Sequence, residues 1–481
     1  MDENLQRDSK QEHKKKGLPA VSGVFDDGTI VELVSQSEEK QTAFIVWRDG
    51  QWTQEKSFNP EPGLCLVPYS SRNNLLEHRV VLLPSQPEEY SSEEALVREI
   101  QEFIHSYVDI SPLYEKIATY YVLLSWVYDS FNELPYLRLR GDTGSGKTRF
   151  LLTVGSLCYK PIFASGASTV SPLFRILDAF RGTLIIDEGD FKLSDERAEI
   201  VKILNNGNAR GFPVLRTEVS GKGEFNPKAY SVFGPKLVAT RGYFEDRALE
   251  SRCLTEEMGQ RRLRGDIPIN LSFSYKEDAV HLRNKLLLFR FRNLNKREAV
   301  ESFVDRAIEP RLNQVFVPLL SIISDPRAQE DIRELARRYN QELMTERSMD
   351  VEAQILEIIR DMCASPLQPR LTIKEIASWF ADRHGDDYER KITTKWVGGI
   401  IRKKLNLKAQ KSHGVFVISP SEKPKLDRLY EKYGIGPKEG SDEETEESSQ
   451  SSAFAHRVDL GDVGDIERGY THRESVEKPY P

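Results

Sequence analysis

Residues 136–152 read YLRLRGDTGSGKTRFLL. Leu137 and Leu139 alternate with Arg138 and Arg140, the two-residue period of a strand with one polar face. The stretch TRFLLTVGSLCY then continues as a helix, with Phe150, Leu151 and Val154 spaced to lie on a sheet. Between the two, Gly141-Asp142-Thr143-Gly144-Ser145-Gly146-Lys147-Thr148 fits G-x-x-x-x-G-K-[ST] in full. The glycines let backbone N–H groups converge on phosphates. Lys147 reaches the β- and γ-phosphate oxygens, and Thr148 offers a hydroxyl to Mg²⁺ at a helix N-terminus. The plain alternative is a flexible turn, and the strand before and the helix after argue against it.

Forty residues beyond Lys147, GTLIIDEGD reads as a buried strand ending in Asp187-Glu188. A phosphate loop needs a carboxylate at the tip of a neighbouring strand to hold Mg²⁺, and Asp187 fits that need. Glu188 is then the general base for the attacking water. Asp-Glu rather than Asp alone favours a hydrolysing ATPase over a small GTPase switch. The next strand, in GPKLVATRG, ends in Thr240, which is expected between the acidic ends to orient the water. Residues 243–254, YFEDRALESRCL, carry two arginines on a short helical stretch, first Arg252 and then Arg247, as candidates to reach a γ-phosphate in a neighbouring subunit. In PVLRTEVSGKGEFNPKAY two strands flank a Ser-Gly-Lys-Gly turn, so Lys222 is expected at a hairpin tip. Two readings of that tip stand side by side: a contact to a nucleic-acid backbone in the pore of a ring, and an ordinary surface hairpin.

The chain has 481 residues, enough for several domains, and 30% of them are charged. No run of eighteen apolar residues occurs, so no membrane span is expected. The opening MDENLQRDSKQEHKKKG has no apolar segment after its charges and is not expected to be a secretory signal. The four cysteines lie far apart without CxxC spacing, which points away from zinc and disulfides and towards the cytoplasm. The net charge of −7 arises wholly from residue 436 onward, so the body is near neutral and can still carry basic patches.

The middle of the chain, about 100–330, resembles the AAA+-type ATPases that accompany primases on phages, plasmids and integrated elements. It is more distantly similar to superfamily-three helicases. The resemblance rests on GDTGSGKT, ASTVSPLFRILDAFRGTLIIDE, ILNNGNARGFPVLR, FGPKLVATRG, DRALESRC and EPRLNQVFVPLLSI. It implies a ring-forming homo-oligomer, hexameric among the options, that works on DNA with an arginine supplied in trans. It departs in one respect: such helicases end the third core strand in Asn, where this chain has Thr240. The N-terminal ninety residues carry no primase signature, so a primase partner is expected to be a separate protein.

At the C-terminal side, VEAQILEIIRDMCA, LTIKEIASWFADRHG and ITTKWVGGIIRKKLNLK read as three helices, and AQKSHGVFVIS as a hairpin, the order of a winged helix. Lys395, Arg402, Lys403 and Lys404 lie on the third helix, and Lys408, Lys411 and His413 on the wing. Such a set suits duplex DNA, with the helix in a groove and the wing on phosphate; a protein-contact role is the alternative.

The expected fold is thus α/β, a parallel-sheet phosphate-loop ATPase core with additions. A disordered arm covers 1–17, a small β-rich domain 18–90, the ATPase core 91–258 and a helical lid-like region 259–348. The winged helix covers 349–421, and a short helix with a disordered acidic tail covers 422–481. The expected activity is a Mg²⁺-dependent ATPase driving a DNA helicase or translocase of a mobile element. The alternative is a nucleotide-regulated DNA-binding initiator, or a defence ATPase that unwinds nothing.

Overall fold

In the chain's computed structural model, Tyr136–Arg140 is the second strand of a five-stranded sheet in which every pairing is parallel. The structure describes residues 17–36, 41–187, 195–219, 225–260, 262–296, 301–365, 370–388 and 391–436. Across the sheet the order is Cys253–Glu257, then the loop strand Tyr136–Arg140, then the threonine strand Lys236–Thr240. The acid strand Leu184–Asp187 and the edge strand Ile162–Ser165 follow. Because all five run the same way, the ends that carry Arg140, Thr240 and Asp187 emerge along one edge, where such sheets bind ligands. In register, Thr240 lies beside Arg140 and Asp187 beside Ser165.

Burial on both faces explains the apolar runs of the inner strands. The loop strand is not the half-polar strand that its alternation suggests. Arg138 is 1% exposed, pairs with Glu250 and donates to Thr255 Oγ1 at 3.0 Å. A buried arginine is tolerated here because a carboxylate and a hydroxyl answer it. Helix Lys147–Leu157 follows the loop and buries Phe150, Leu151, Val154 and Leu157.

Residues 18–90 form a four-stranded antiparallel sheet and a three-stranded sheet. Asp49-Gly50 makes the expected tight hairpin, both residues having positive φ. This β-rich region does not stand apart as a domain of its own. Ile30, Val34, Ala43 and Ile45 belong to the same apolar core as helices Glu93–Tyr107 and Pro112–Trp126. Glu32, wholly buried, accepts hydrogen bonds from Tyr159 (2.7 Å) and Arg290 (2.7 Å) and pairs with Lys160 at 2.8 Å. Arg290 also pairs with Asp129 at 2.6 Å. These charges come from four distant parts of the chain and lock them together, and the described residues up to Asp350 form one compact unit.

The expected lid is likewise part of the core. Helix Phe273–Asn293 buries Leu282, Leu286, Leu287 and Phe289 and packs on the helix after the phosphate loop. Its apolar residues surround the helix instead of forming one stripe, which suits an element covered on several sides.

A second unit begins at Val351. Helices Val351–Ala364, Ile373–His384 and Thr394–Lys403 share one apolar core with Ile418 of the following hairpin, Ala409–Ser412 with Val415–Ile418. A bridge between Thr372 and Val417 sets that hairpin against the start of the second helix. Helix Lys423–Lys432 follows. The expected terminal arm, up to residue 16, and the acidic tail from 437 lie outside the described residues. Among the described residues no helix is long and apolar enough to cross a membrane.

Glu32→Ala is expected to cost about 3–5 kcal/mol, because it strands buried cations without their carboxylate. A urea midpoint for the full chain checks this. A much smaller loss would mean that the β-rich region is not held by these charges.

Candidate nucleotide site

The phosphate loop starts where the loop strand ends. Gly141 N–H donates to Thr240 O at 3.2 Å, tying the loop to the threonine strand. Gly144 and Gly146 have φ of +82° and +97°, a left-handed backbone that side chains with a Cβ rarely adopt. Those turns bring the loop round to the N-terminus of helix Lys147–Leu157. Lys147 Nζ folds back over the loop and donates to the carbonyls of Gly141 and Asp142, the latter at 2.7 Å. Thr148 Oγ1 donates to Asp187 Oδ2 at 2.7 Å. The hydroxyl and the carboxylate expected to share a cation therefore meet, although 39 residues separate them.

Two cavities flank this loop. One, of about 270 Å³, is lined by Gly146, Lys147, Thr148, Asp187, Thr240 and Arg241. The other, about 340 Å³, shares Gly144–Gly146 and has a mixed lining, with Met258, Leu263 and Ile269 beside Asp109, Arg149 and Glu257. Two cavities joined at a phosphate loop leave room on both of its flanks, a chamber beside Lys147 and Asp187 and a slot of mixed lining. The slot's outer wall is anchored from both sides. Arg149, in the first turn of the loop helix, donates to the carbonyls of Pro268 (3.0 Å) and Ile269. Arg264 N–H donates to Asp109 Oδ2 at 2.9 Å.

Of the residues singled out from sequence, the loop, Asp187 and Thr240 converge on this edge. Thr240 is buried and its hydroxyl donates to Gly242 O at 3.0 Å, so it braces its own turn. Glu188 lies outside the described residues, as does Lys222; the strands Val214–Val219 and Phe225–Tyr230 on either side of Lys222 do pair antiparallel. Arg241 was missed. Its only sequence signal was a cation directly after a core strand ending in Thr240.

Arg252, the first candidate for an arginine reaching a neighbouring subunit, is held by contacts within its own chain. Arg252 Nε donates to Asn208 Oδ1 at 2.7 Å, and Nη1 donates to Ala248 O at 2.7 Å and to Asn205 Oδ1. The two asparagine contacts bind it to the C-terminal end of helix Asp195–Asn206, where a cation suits the helix dipole, and the third ties it to its own turn. Arg247 is 84% exposed and pairs with Asp350 at 3.1 Å. In an exposed pair of this kind the arginine exchanges partners at little cost.

In the second unit Lys395, Lys403 and Lys411 are exposed, as are Lys408 and His413. Arg402 and Lys404 are exposed too, but Arg402 lies over the Phe416 ring, 5.4 Å from its centroid, and Lys404 pairs with Glu352 at 2.6 Å. Those two cations thus brace the third helix against the hairpin and the first helix.

No family model matches the chain, and no curated protein matches it. Among solved structures, the apo C-terminal region of NrS-1 is similar at 12% identity over 81% of this chain and 95% of that one, with a TM-score of 0.34. A full-length MCM homolog from Methanopyrus kandleri is similar at 12% identity over 65% of this chain and 76% of that one, with a TM-score of 0.32. The JCV helicase covers 52% of this chain and 62% of its own at 13% identity, with a TM-score of 0.23. At TM-scores this low, function has to be argued from the side chains themselves.

Arg252→Ala is expected to lower stability by about 2–3 kcal/mol, since it strips three charged hydrogen bonds. Arg247→Ala should stay within about 0.5 kcal/mol of wild type. Paired urea titrations compare the two; equal effects would refute the different roles.

Proposed function

We propose that this chain is an ATP-hydrolysing, DNA-associated motor, a helicase or translocase of a phage, plasmid or integrated element. The observation that carries the reading is the Thr148–Asp187 contact at the mouth of the phosphate loop. A flexible turn has no reason to meet a strand-end carboxylate there. A hydroxyl, a carboxylate and phosphate oxygens are the oxygen donors that Mg²⁺ takes, so Thr148 and Asp187 fit that ion. When bound, it neutralises charge building on the phosphates.

The chain's own residues divide the remaining work. Lys147 leaves the carbonyls of Gly141 and Asp142 for the phosphate oxygens, while the slot on the loop's other flank holds the base against Met258, Leu263 and Ile269. Glu188 takes the proton of the water that attacks the terminal phosphorus, as the bond to the leaving diphosphate oxygen breaks. Thr240 supports that water from the adjacent strand. Arg241 adds positive charge on the chamber wall. Arg247 supplies the trans arginine of a ring-shaped homo-oligomer, a hexamer among the options. The second unit acts as a winged helix that touches DNA phosphates with Lys395, Lys403 and Lys411. The mobile-element origin and a separate primase partner rest on the motif resemblance, and the cytoplasm on four free cysteines.

Turnover of ATP measured with and without single-stranded DNA tests the reading. DNA should stimulate the wild type, and Lys147→Ala and Glu188→Gln should abolish turnover in both conditions. Turnover indifferent to DNA would sink the motor and leave a nucleotide-regulated DNA-binding switch. Rings mixed from Arg247→Ala and Glu188→Gln subunits should regain turnover that neither has alone; no recovery would count against sharing of the site. Lys403→Ala/Lys411→Ala should weaken duplex binding and flatten its salt dependence. An unchanged salt slope would move the second unit to protein contacts.

A further inference from the structure

The hairpin Val214–Val219/Phe225–Tyr230 is an insertion between helix Asp195–Asn206 and the threonine strand. Its chain leaves the core at Gly207 and returns through Val232–Gly234. Lys236, the first residue of the threonine strand, is wholly buried between these two roots. Its Nζ donates to the carbonyls of Gly207 (3.0 Å), Val232 (3.0 Å) and Gly234 (2.9 Å). One ammonium therefore holds both ends of the insertion.

A lysine is a costly choice for this position. Three other buried cations of the core have carboxylates: Glu32 for Lys160 and Arg290, and Glu250 for Arg138. Arg283 is also buried and forms no ion pair among the described residues, but it donates to one backbone carbonyl, Ser156 O at 2.8 Å, where Lys236 answers three. Among the described residues Lys236 forms no ion pair, and burial pulls its ammonium down to about 7. Methionine would fill the same space without that cost. What methionine lacks is three donors on one atom.

The surroundings are shaped to the ammonium. A Cβ on Gly207 would stand 2.4 Å from Nζ and 2.5 Å from Val232 O, so only glycine permits this approach. Gly207 O also accepts from Gly234 N–H at 3.1 Å, joining root to root. The Lys236 N–H donates to the Tyr121 hydroxyl at 2.9 Å, and the Tyr136 ring lies 4.9 Å from Nζ. Four residues along the same strand, Thr240 lines the phosphate chamber. Helix Asp195–Asn206 ends one residue before Gly207. The strand that carries Thr240 to the phosphate chamber thus begins at the ammonium.

We propose that Lys236 is a positioning residue that makes the hairpin a rigid extension of the strand ending in Thr240, so that a change at the nucleotide edge is carried to the hairpin. The assignment rests on the nucleotide-site reading above. It acts through the backbone carbonyls of the two roots and leaves the groups around the phosphates untouched.

Hydrogen–deuterium exchange of the full chain, with and without Mg²⁺ and a slowly hydrolysed ATP analogue, tests it. In the wild type, amides of 207–213 and 231–235 should change protection on nucleotide binding. In Lys236→Met that change should be lost while affinity for the analogue stays at the wild-type value. Gly207→Ala, which displaces Nζ, should lose it too. Variants that transmit the change as wild type does would reduce Lys236 to a merely structural residue. A wild type that binds the analogue with no change at the roots overturns the assignment alone, whether or not the variants fold. A wild type that binds no nucleotide overturns the proposed function and this assignment together.

Discussion

The hydrogen bond from Thr148 to Asp187 is the contact around which this protein is arranged. It forms because parallel strands deliver their ends to one edge, so that residues remote in sequence arrive side by side. The loop strand brings the glycine turn, the acid strand brings the carboxylate, and the threonine strand lies between them. An antiparallel pairing anywhere in that trio would have sent one of the three groups to the opposite edge. The slot on the loop's other flank depends on the same edge, since Met258 follows directly on the strand Cys253–Glu257.

Buried charge fixes the parts that flank this edge. Glu32 of the β-rich region meets Arg290 of the long helix and Lys160 beyond the loop helix, and Asp129 completes the set. An ion pair in such a place adds little net stability compared with apolar packing, but breaking it is expensive. Its effect is to specify which surfaces meet. The β-rich region is thereby held in one arrangement against the helices.

The far end of the sheet shows a related device with backbone groups in place of carboxylates. Helix Asp195–Asn206 leaves carbonyls unanswered at its C-terminus, as every helix does. Tyr136 Oη donates to Leu204 O at 2.7 Å, Lys236 answers Gly207, and Arg252 holds Asn205 and Asn208. Arg252 read from sequence as an arginine for a neighbour because its motif position and charge suit that role. Which way its side chain turns depends on two asparagines more than forty residues upstream, which no local pattern reveals.

The sequence by itself determined the phosphate loop, the Asp-Glu pair after a downstream apolar strand, the hairpin turn at Asp49-Gly50, and the order of three helices and a hairpin at the C-terminal side. Each depends on short-range chemistry: glycine's access to positive φ, the periods of strand and helix, and the need of a phosphate for N–H groups. Tertiary structure alone decided that Arg138 is buried, that residues 18–90 share the core, and that the long helix is covered on several sides. It also decided that Arg402 and Lys404 brace their own domain. All of these turn on where a distant partner sits. A charged side chain looks solvated in a sequence until the fold brings it a carboxylate, a ring or a set of carbonyls.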